Sequence, residues 1–234
     1  MDSPKILQGS IEQQASISDF LSKVFLWMAG GLIVSTLGSF WLLSQPALLT
    51  AVVKNQWIFF GLIIAELGLV LWLSAAIMSM GSLQAKVLFM AYSFLNGVTL
   101  SPIFLIYTGG SIMTTFAVTA GTFFFFALYG LTTKKDLTGI GGLAMMALFG
   151  VILASLVNVF LKSSALDWVV TFIAIAVFMG LIAWDAQKLK AMHAMGGADP
   201  EMDKKMVVIG ALALYLDFIN LFIQLLRIFG KRRD

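Results

Sequence analysis

Long apolar runs recur along this chain, separated by short polar interruptions. Residues 24–53 and 87–133 contain no Asp, Glu, Lys or Arg. A helix needs about 20 apolar residues to cross the hydrocarbon core of a bilayer, so the second run is too long for one helix. Tyr107-Thr108-Gly109-Gly110-Ser111 is a turn signal that divides it. Ser44-Gln45-Pro46 ends the first run's span, and Lys134-Lys135-Asp136 precedes another. The pattern predicts seven spans, near 24–43, 57–79, 87–106, 112–133, 139–161, 168–184 and 205–228. Little remains outside them, so residues 1–234 read as one transmembrane domain of all-α class. Pro102 falls inside the third span and predicts a kink there, with Thr99 and Ser101 near the freed carbonyls. Gly150, Ala154 and Asn158 read as a close-packing ridge on the fifth.

Composition agrees with the pattern. Hydrophobic residues make up 60% of the chain and charged residues 12%, against about 25% charged in soluble domains. Mean hydropathy is +0.96. The net charge of +3 is small, and the basic residues lie at segment ends, where they anchor and orient helices. That distribution gives no reason to expect nucleic-acid binding. With no cysteine, disulfide and thiolate chemistry are excluded. The polar N-terminus MDSPKILQGSIEQQASISDF lacks the basic n-region and short apolar core of a cleavable signal, so the first span itself is expected to direct insertion.

Charge placement also predicts orientation. The N-terminal tail and the loops at 80–86, 134–138 and 185–205 share one side and carry Lys5, Lys23, Lys86, Lys134, Lys135, Lys188, Lys190, Lys204 and Lys205. The opposite loops carry Lys54 and Lys162. This bias favours a cytoplasmic N-terminus. The basic tail (Arg227, Lys231, Arg232, Arg233) then lies on the far side, against the same rule. A late-inserting seventh helix held by the bundle would resolve the conflict, as would a last helix that does not fully cross.

Candidate chemistry rests on carboxylates at membrane depth. Hydrocarbon solvates no charge, so each needs a partner, a proton, water or an ion. Asp217 lies in the middle of MVVIGALALYLDFINLFIQLLRIFG, Asp185 closes VVTFIAIAVFMGLIAWD, and Glu66 lies within WIFFGLIIAELGLVLWLSAAIM. On the last helix Gly210, Ala213, Asp217, Asn220 and Gln224 recur at spacings of three and four, forming a stripe suited to protein or water rather than lipid. Helix packing explains Asn220 and Gln224 as well as an ion path does. It explains Asp217 less well, because Asn would pack without an ionisation cost.

Asp185 followed by Gln187, Lys188 and Lys190 reads equally as a solvated interfacial residue or as a partner for Asp217. With a polar loop over 186–204, Asp217 lies roughly 18 Å into its helix. The two then meet only if Asp185 is deeper than its apolar boundary suggests. A pair in low dielectric shares one proton and titrates as a unit. Its deprotonation adds repulsion between the helices and affinity for a hard cation such as Ca²⁺, so both aspartates are candidates for a transient cation contact. Glu66 reads either as a protonated structural donor or as a second carboxylate station. His193 stands alone in a Met/Gly/Ala loop and is expected to be solvated.

At these residues the chain resembles the Bax inhibitor-1 (TMBIM) family, in its bacterial YccA/YbhL-like branch. LYLDFINLFIQLLRIFG at 214–230 carries the resemblance most specifically, supported by Asp185, AELGLVL around Glu66 and TKKDLTGIGG at 133–142. The resemblance covers nearly the whole chain. It implies a last helix central to two three-helix layers and a pH-sensing pair at Asp185 and Asp217. It also implies a pH-sensitive calcium leak across the bacterial inner membrane, with no tightly bound cofactor and no enzymatic activity. Glu66 would be the family carboxylate of the second helix. Some members latch the pair with an arginine on that helix. Here the arginines are Arg227, Arg232 and Arg233, so such a latch is absent.

Two other classes of function remain open. One is a non-conducting regulatory protein that binds other membrane proteins. The other, more remote, is an intramembrane aspartyl protease. That protease class places a Gly-x-Gly pattern near its second aspartate, whereas Leu214, Tyr215 and Leu216 precede Asp217.

Overall fold

The computed structural model describes residues 3–196 and 199–233, with side chains from Gln14 onward. Helix accounts for nearly all of them: α1 (Ser3–Leu43), α2 (Pro46–Lys54), α3 (Gln56–Ala76), α4 (Ser82–Leu100), α5 (Ile103–Ile106), α6 (Gly109–Thr132), α7 (Thr138–Leu161), α8 (Ser164–Gly196) and α9 (Pro200–Phe229). Among the described residues the only bridge of β type is an isolated antiparallel one between Tyr107 and Arg232. Seven stretches are long and apolar enough to cross a membrane: Gln14–Leu43, Gln56–Ala76, Ser82–Ile106, Gly109–Thr132, Thr138–Leu161, Ser164–Gly196 and Pro200–Phe229. The protein is an all-α polytopic membrane protein.

The differences from the sequence reading have local causes. The segment after Ser44-Gln45 is not a loop but the short helix α2, opened by Pro46 in its first turn, where a missing N–H costs nothing. The third span breaks at Ser101-Pro102 into α4 and α5, because proline cannot donate to the preceding turn. The largest correction concerns the polar loop expected over 186–204. Helix α8 continues to Gly196 and α9 starts at Pro200. Gln187, Lys188 and Lys190 extend an apolar helix into water, and helices tolerate such residues well. Gly197 and Ala198, within the expected loop, lie outside the described residues.

Packing groups the chain into two compact units. The first comprises residues 1–102 and 189–212, and the second 103–188 and 213–234. In the first, α1 and α4 cross closely through small residues. Ser35 Oγ donates to the Ser93 carbonyl at 2.8 Å, and Ser39 Oγ donates to the Gly97 carbonyl at 2.6 Å. A Cβ at Gly97 would overlap the Ser35 backbone. Two donors four residues apart thus face two carbonyls four residues apart, which is how membrane helices gain contact where lipid offers no hydrophobic drive. Glu201 of α9 accepts from the backbone N–H of Ser82 at 2.6 Å and from its hydroxyl at 2.9 Å, capping the start of α4.

In the second unit the tail is tied to the turn before α6. Thr108 N–H donates to the Lys231 carbonyl and Arg233 N–H to the Ile106 carbonyl, both at 2.9 Å. Arg227 pairs with Asp167 at 2.9 Å. These bonds hold the basic tail and accompany a fully helical seventh span. The ridge expected at Gly150, Ala154 and Asn158 is not packed in this way. Gly150 faces open space, whereas Gly141 and Ala144 are the buried small residues of α7.

Candidate functional site

The last helix is unlike the others in burial. Of its most apolar window 72% is buried, against 6% for Gln56–Ala76. Val208, Leu214, Tyr215, Phe218, Leu221 and Phe222 are all buried, so its apolar faces are enclosed along with its polar stripe. A helix apolar all round belongs inside a bundle. In the second unit, the Phe218 ring packs edge-on against Phe116 at 5.3 Å and Phe123 at 5.6 Å. These contacts fix the rotation of α9, and Asp217 is held 5% exposed with one carboxylate oxygen unpartnered.

Helix α8 is pinned just as firmly where it carries Asp185. A Cβ at Gly130 would overlap the Ala183 backbone, and one at Gly141 would overlap the Trp184 indole. Gln187 accepts from Leu137 N–H at 2.9 Å and donates to the Lys135 carbonyl at 2.8 Å. Between these anchors Asp185 is largely buried, its side chain 13% exposed, and its Oδ1 lies 2.6 Å from the Lys188 ammonium. That ammonium also sits 3.7 Å from the centre of the Trp184 ring, a cation–π contact that holds the lysine beside the carboxylate.

Asp185 lies within α8, eleven residues before its end at Gly196. Gly196 lies against Asp203 and Gly210 against Leu189, which defines one antiparallel register. Carried along both helices, it sets Asp185 level with Leu214. Asp217 is then less than one turn further, about 4.5 Å along the axis. The largely buried Asp185, with the Lys188 ammonium beside it, and the buried Asp217 belong to the same unit. Such a cluster changes net charge in steps that belong to the group as a whole.

The remaining candidates lie in different surroundings. In the second unit, Asn220 gives its amide to the Leu216 carbonyl at 2.8 Å, a local bond within α9. Gln224 keeps a buried, unpartnered side-chain oxygen. In the first unit, Glu66 is buried on α3 and accepts from the Asn96 amide at 3.2 Å, its second oxygen unpartnered. Among the described residues no three His, Cys, Asp or Glu side chains gather around a point. Two aspartates offer four oxygens, fewer than the six to eight that Ca²⁺ takes, so water or carbonyls must complete any cation contact at the pair.

Two residues were misjudged from sequence. Lys188 read as a sign of solvation, yet it pairs with Asp185; its position three residues on was the available signal. His193 is not a solvated loop residue. It lies on the last turn of α8 and contacts Asp203 and Ser16, and a partner 177 residues away leaves no trace in local pattern.

Fold and site define a polytopic helical membrane protein with an acidic pair buried on its last two helices. The family model described as "Inhibitor of apoptosis-promoting Bax1" matches residues 17–234, and the chain belongs to the Bax inhibitor-1 family. It is 47% identical over 224 residues to the inner membrane protein YbhL of Escherichia coli K12, covering 95% of this chain and 96% of that one. It is also 43% identical to an uncharacterised protein of Borreliella burgdorferi over 92% of this chain and 93% of that one. Identity to one of Rickettsia prowazekii is 42%, over 92% and 90%.

Proposed function

We propose that this protein is a pH-sensitive leak pathway for cations, calcium foremost, gated by the protonation of Asp185 and Asp217. The observation that carries this reading is Asp217 enclosed on α9 at 5% exposure, in the same unit as the buried Asp185 and its Lys188 partner. When the pair holds its proton, it carries a single negative charge and repulsion between α8 and α9 is small. Loss of that proton leaves two anions on adjacent helices, and their repulsion favours separation or the entry of a cation. Hard carboxylate oxygens suit Ca²⁺. Lys188 supplies the positive charge that an arginine on the second helix supplies in some relatives, but from within α8 itself. Gln224, with its unpartnered oxygen, is a further contact for the ion in this unit, and Asn220 a weaker one. Glu66 is a separate carboxylate contact in the other unit. The lysine bias supports a cytoplasmic N-terminus, and the name of the relative YbhL, an inner membrane protein, supports the same membrane for this chain.

Flux of Ca²⁺, Na⁺ and K⁺ into liposomes holding the purified protein, measured from pH 5 to 8, tests the reading. The expected result is flux that changes with pH in the wild type and much less in Asp217→Asn and Asp185→Asn. Identical flux in all three proteins would remove the gate and favour the non-conducting regulatory protein.

A further inference from the structure

A second constellation lies in the first unit. Ser16 on α1, His193 on the last turn of α8 and Asp203 on the first turns of α9 form a chain of contacts. His193 Nδ1 lies 3.1 Å from Asp203 Oδ1, and His193 Nε2 lies 3.0 Å from Ser16 Oγ. An ionised carboxylate can only accept, so Asp203 holds the proton on Nδ1 and leaves the Nε2 lone pair facing the serine hydroxyl. The ring is further fixed by Phe20, a buried neighbour with its centroid at 5.0 Å. The imidazole and carboxylate are mostly sheltered, at 19% and 23% side-chain exposure, while Ser16 is exposed.

Other helical serines behave differently. Ser22, Ser35, Ser93 and Ser155 each donate to the carbonyl four residues before them, the ordinary use of a hydroxyl in a helix. Ser16 turns to an imidazole supplied from the other end of the chain. Nucleophile, base and orienting carboxylate, in that order and at these distances, are what activate a serine, whatever fold carries them.

We propose that Ser16 is an acyl-acceptor nucleophile, with His193 as its general base and Asp203 as the positioning residue, for activated esters or thioesters presented at the membrane surface. In the step, the Ser16 Oγ–carbon bond forms and the carbon–oxygen or carbon–sulfur bond of the ester breaks. The hydroxyl proton passes to His193 Nε2 and then to the departing alkoxide or thiolate. Ser16 lies inside a helix, whose backbone N–H groups are spent on its own carbonyls. The oxyanion donors that contribute about 10²–10³ in hydrolases are therefore missing at the serine. The site is built for slow, single acylation and not for rapid turnover.

The test is labelling of the full-length protein in nanodiscs with a fluorophosphonate, which forms a P–O bond to an activated serine and expels fluoride. Peptide mass mapping should find Ser16 modified well ahead of Ser18 and Ser22 on the same helix. The rate should fall about 100-fold in His193→Gln and to background in Ser16→Ala. Asp203→Asn should lower it and move its pH profile. Labelling of Ser16 no faster than of Ser18 and Ser22 would overturn the proposal, and that comparison needs no variant to fold. So would an unchanged rate in a folded His193→Gln protein.

Discussion

Glu66 and Asp217 are both buried carboxylates in membrane helices, yet their surroundings differ in kind. Glu66 meets a neutral amide, Asn96, on a helix whose apolar window is only 6% buried. Asp217 lies on a helix 72% buried, in the same unit as Asp185 and its ammonium partner Lys188. A neutral amide carries no charge that responds to ionisation, so Asn96 couples to Glu66 through a hydrogen bond alone. A charged neighbour cannot be indifferent to a proton, because every change of ionisation alters its Coulomb energy. The difference teaches that equal depth leaves unequal surroundings: a charged neighbour couples to ionisation and a neutral amide does not.

Removing one carboxylate of the pair is the most direct way to break the comparison. Asp217→Asn keeps the size and polarity of the side chain, and its flux in liposomes should lose about tenfold or more of its variation across two pH units. Full pH dependence in that variant would end the distinction between the two regions. Next in size is a structural change on the α8 side. Gly130→Ala pushes a methyl into the Ala183 backbone two residues before Asp185 and should cost about 1–3 kcal/mol, read as a lowered melting temperature in detergent. Gly150→Ala, which meets open space, should show no such loss.

Lys188→Met sharpens the comparison further. With the ammonium gone, a doubly ionised pair is harder to form, so the midpoint of the flux profile should move to higher pH. The lysine is partly exposed, so the shift should be about one pH unit or less. Glu66→Gln should change the size of the flux by less than about twofold and leave its midpoint in place, since the amide keeps an oxygen to accept from Asn96. A moved midpoint would mean that Glu66 belongs to the sensor.

The smallest effect is expected at Asp136, on the loop before α7. Its bonds to the side chain and the backbone N–H of Thr138 hold the carboxyl below the usual carboxylate range. Because the folded value is depressed, the stabilisation is complete above the ordinary carboxylate value and is lost as pH falls through the folded one. Melting curves of Asp136→Asn and wild type should differ slightly at pH 7 and converge in strong acid.

The seven spans were legible because hydrocarbon imposes one rule on every segment that crosses it, and twenty apolar residues satisfy that rule locally. Asp217 was legible for the opposite reason, as a violation of that rule. Asp185 was ambiguous, since the polar residues after it suit an aqueous helix and a loop equally. The packing ridge at Gly150 was misplaced, because a small residue looks the same in sequence whether it faces a neighbour or lipid. The α1–α4 serine contacts and the Ser16–His193–Asp203 chain depend on residues far apart in sequence, and no periodicity encodes such meetings.

By itself the sequence determined class, span number, the enclosed aspartate and the family, because each follows from local composition or a contiguous motif. Tertiary structure decided the rest. It extended α8 past Asp185, enclosed α9 on nearly every face, and brought His193 to Ser16. Helix register and side-chain partnership are properties of two or more segments at once, and only packing fixes which segments meet.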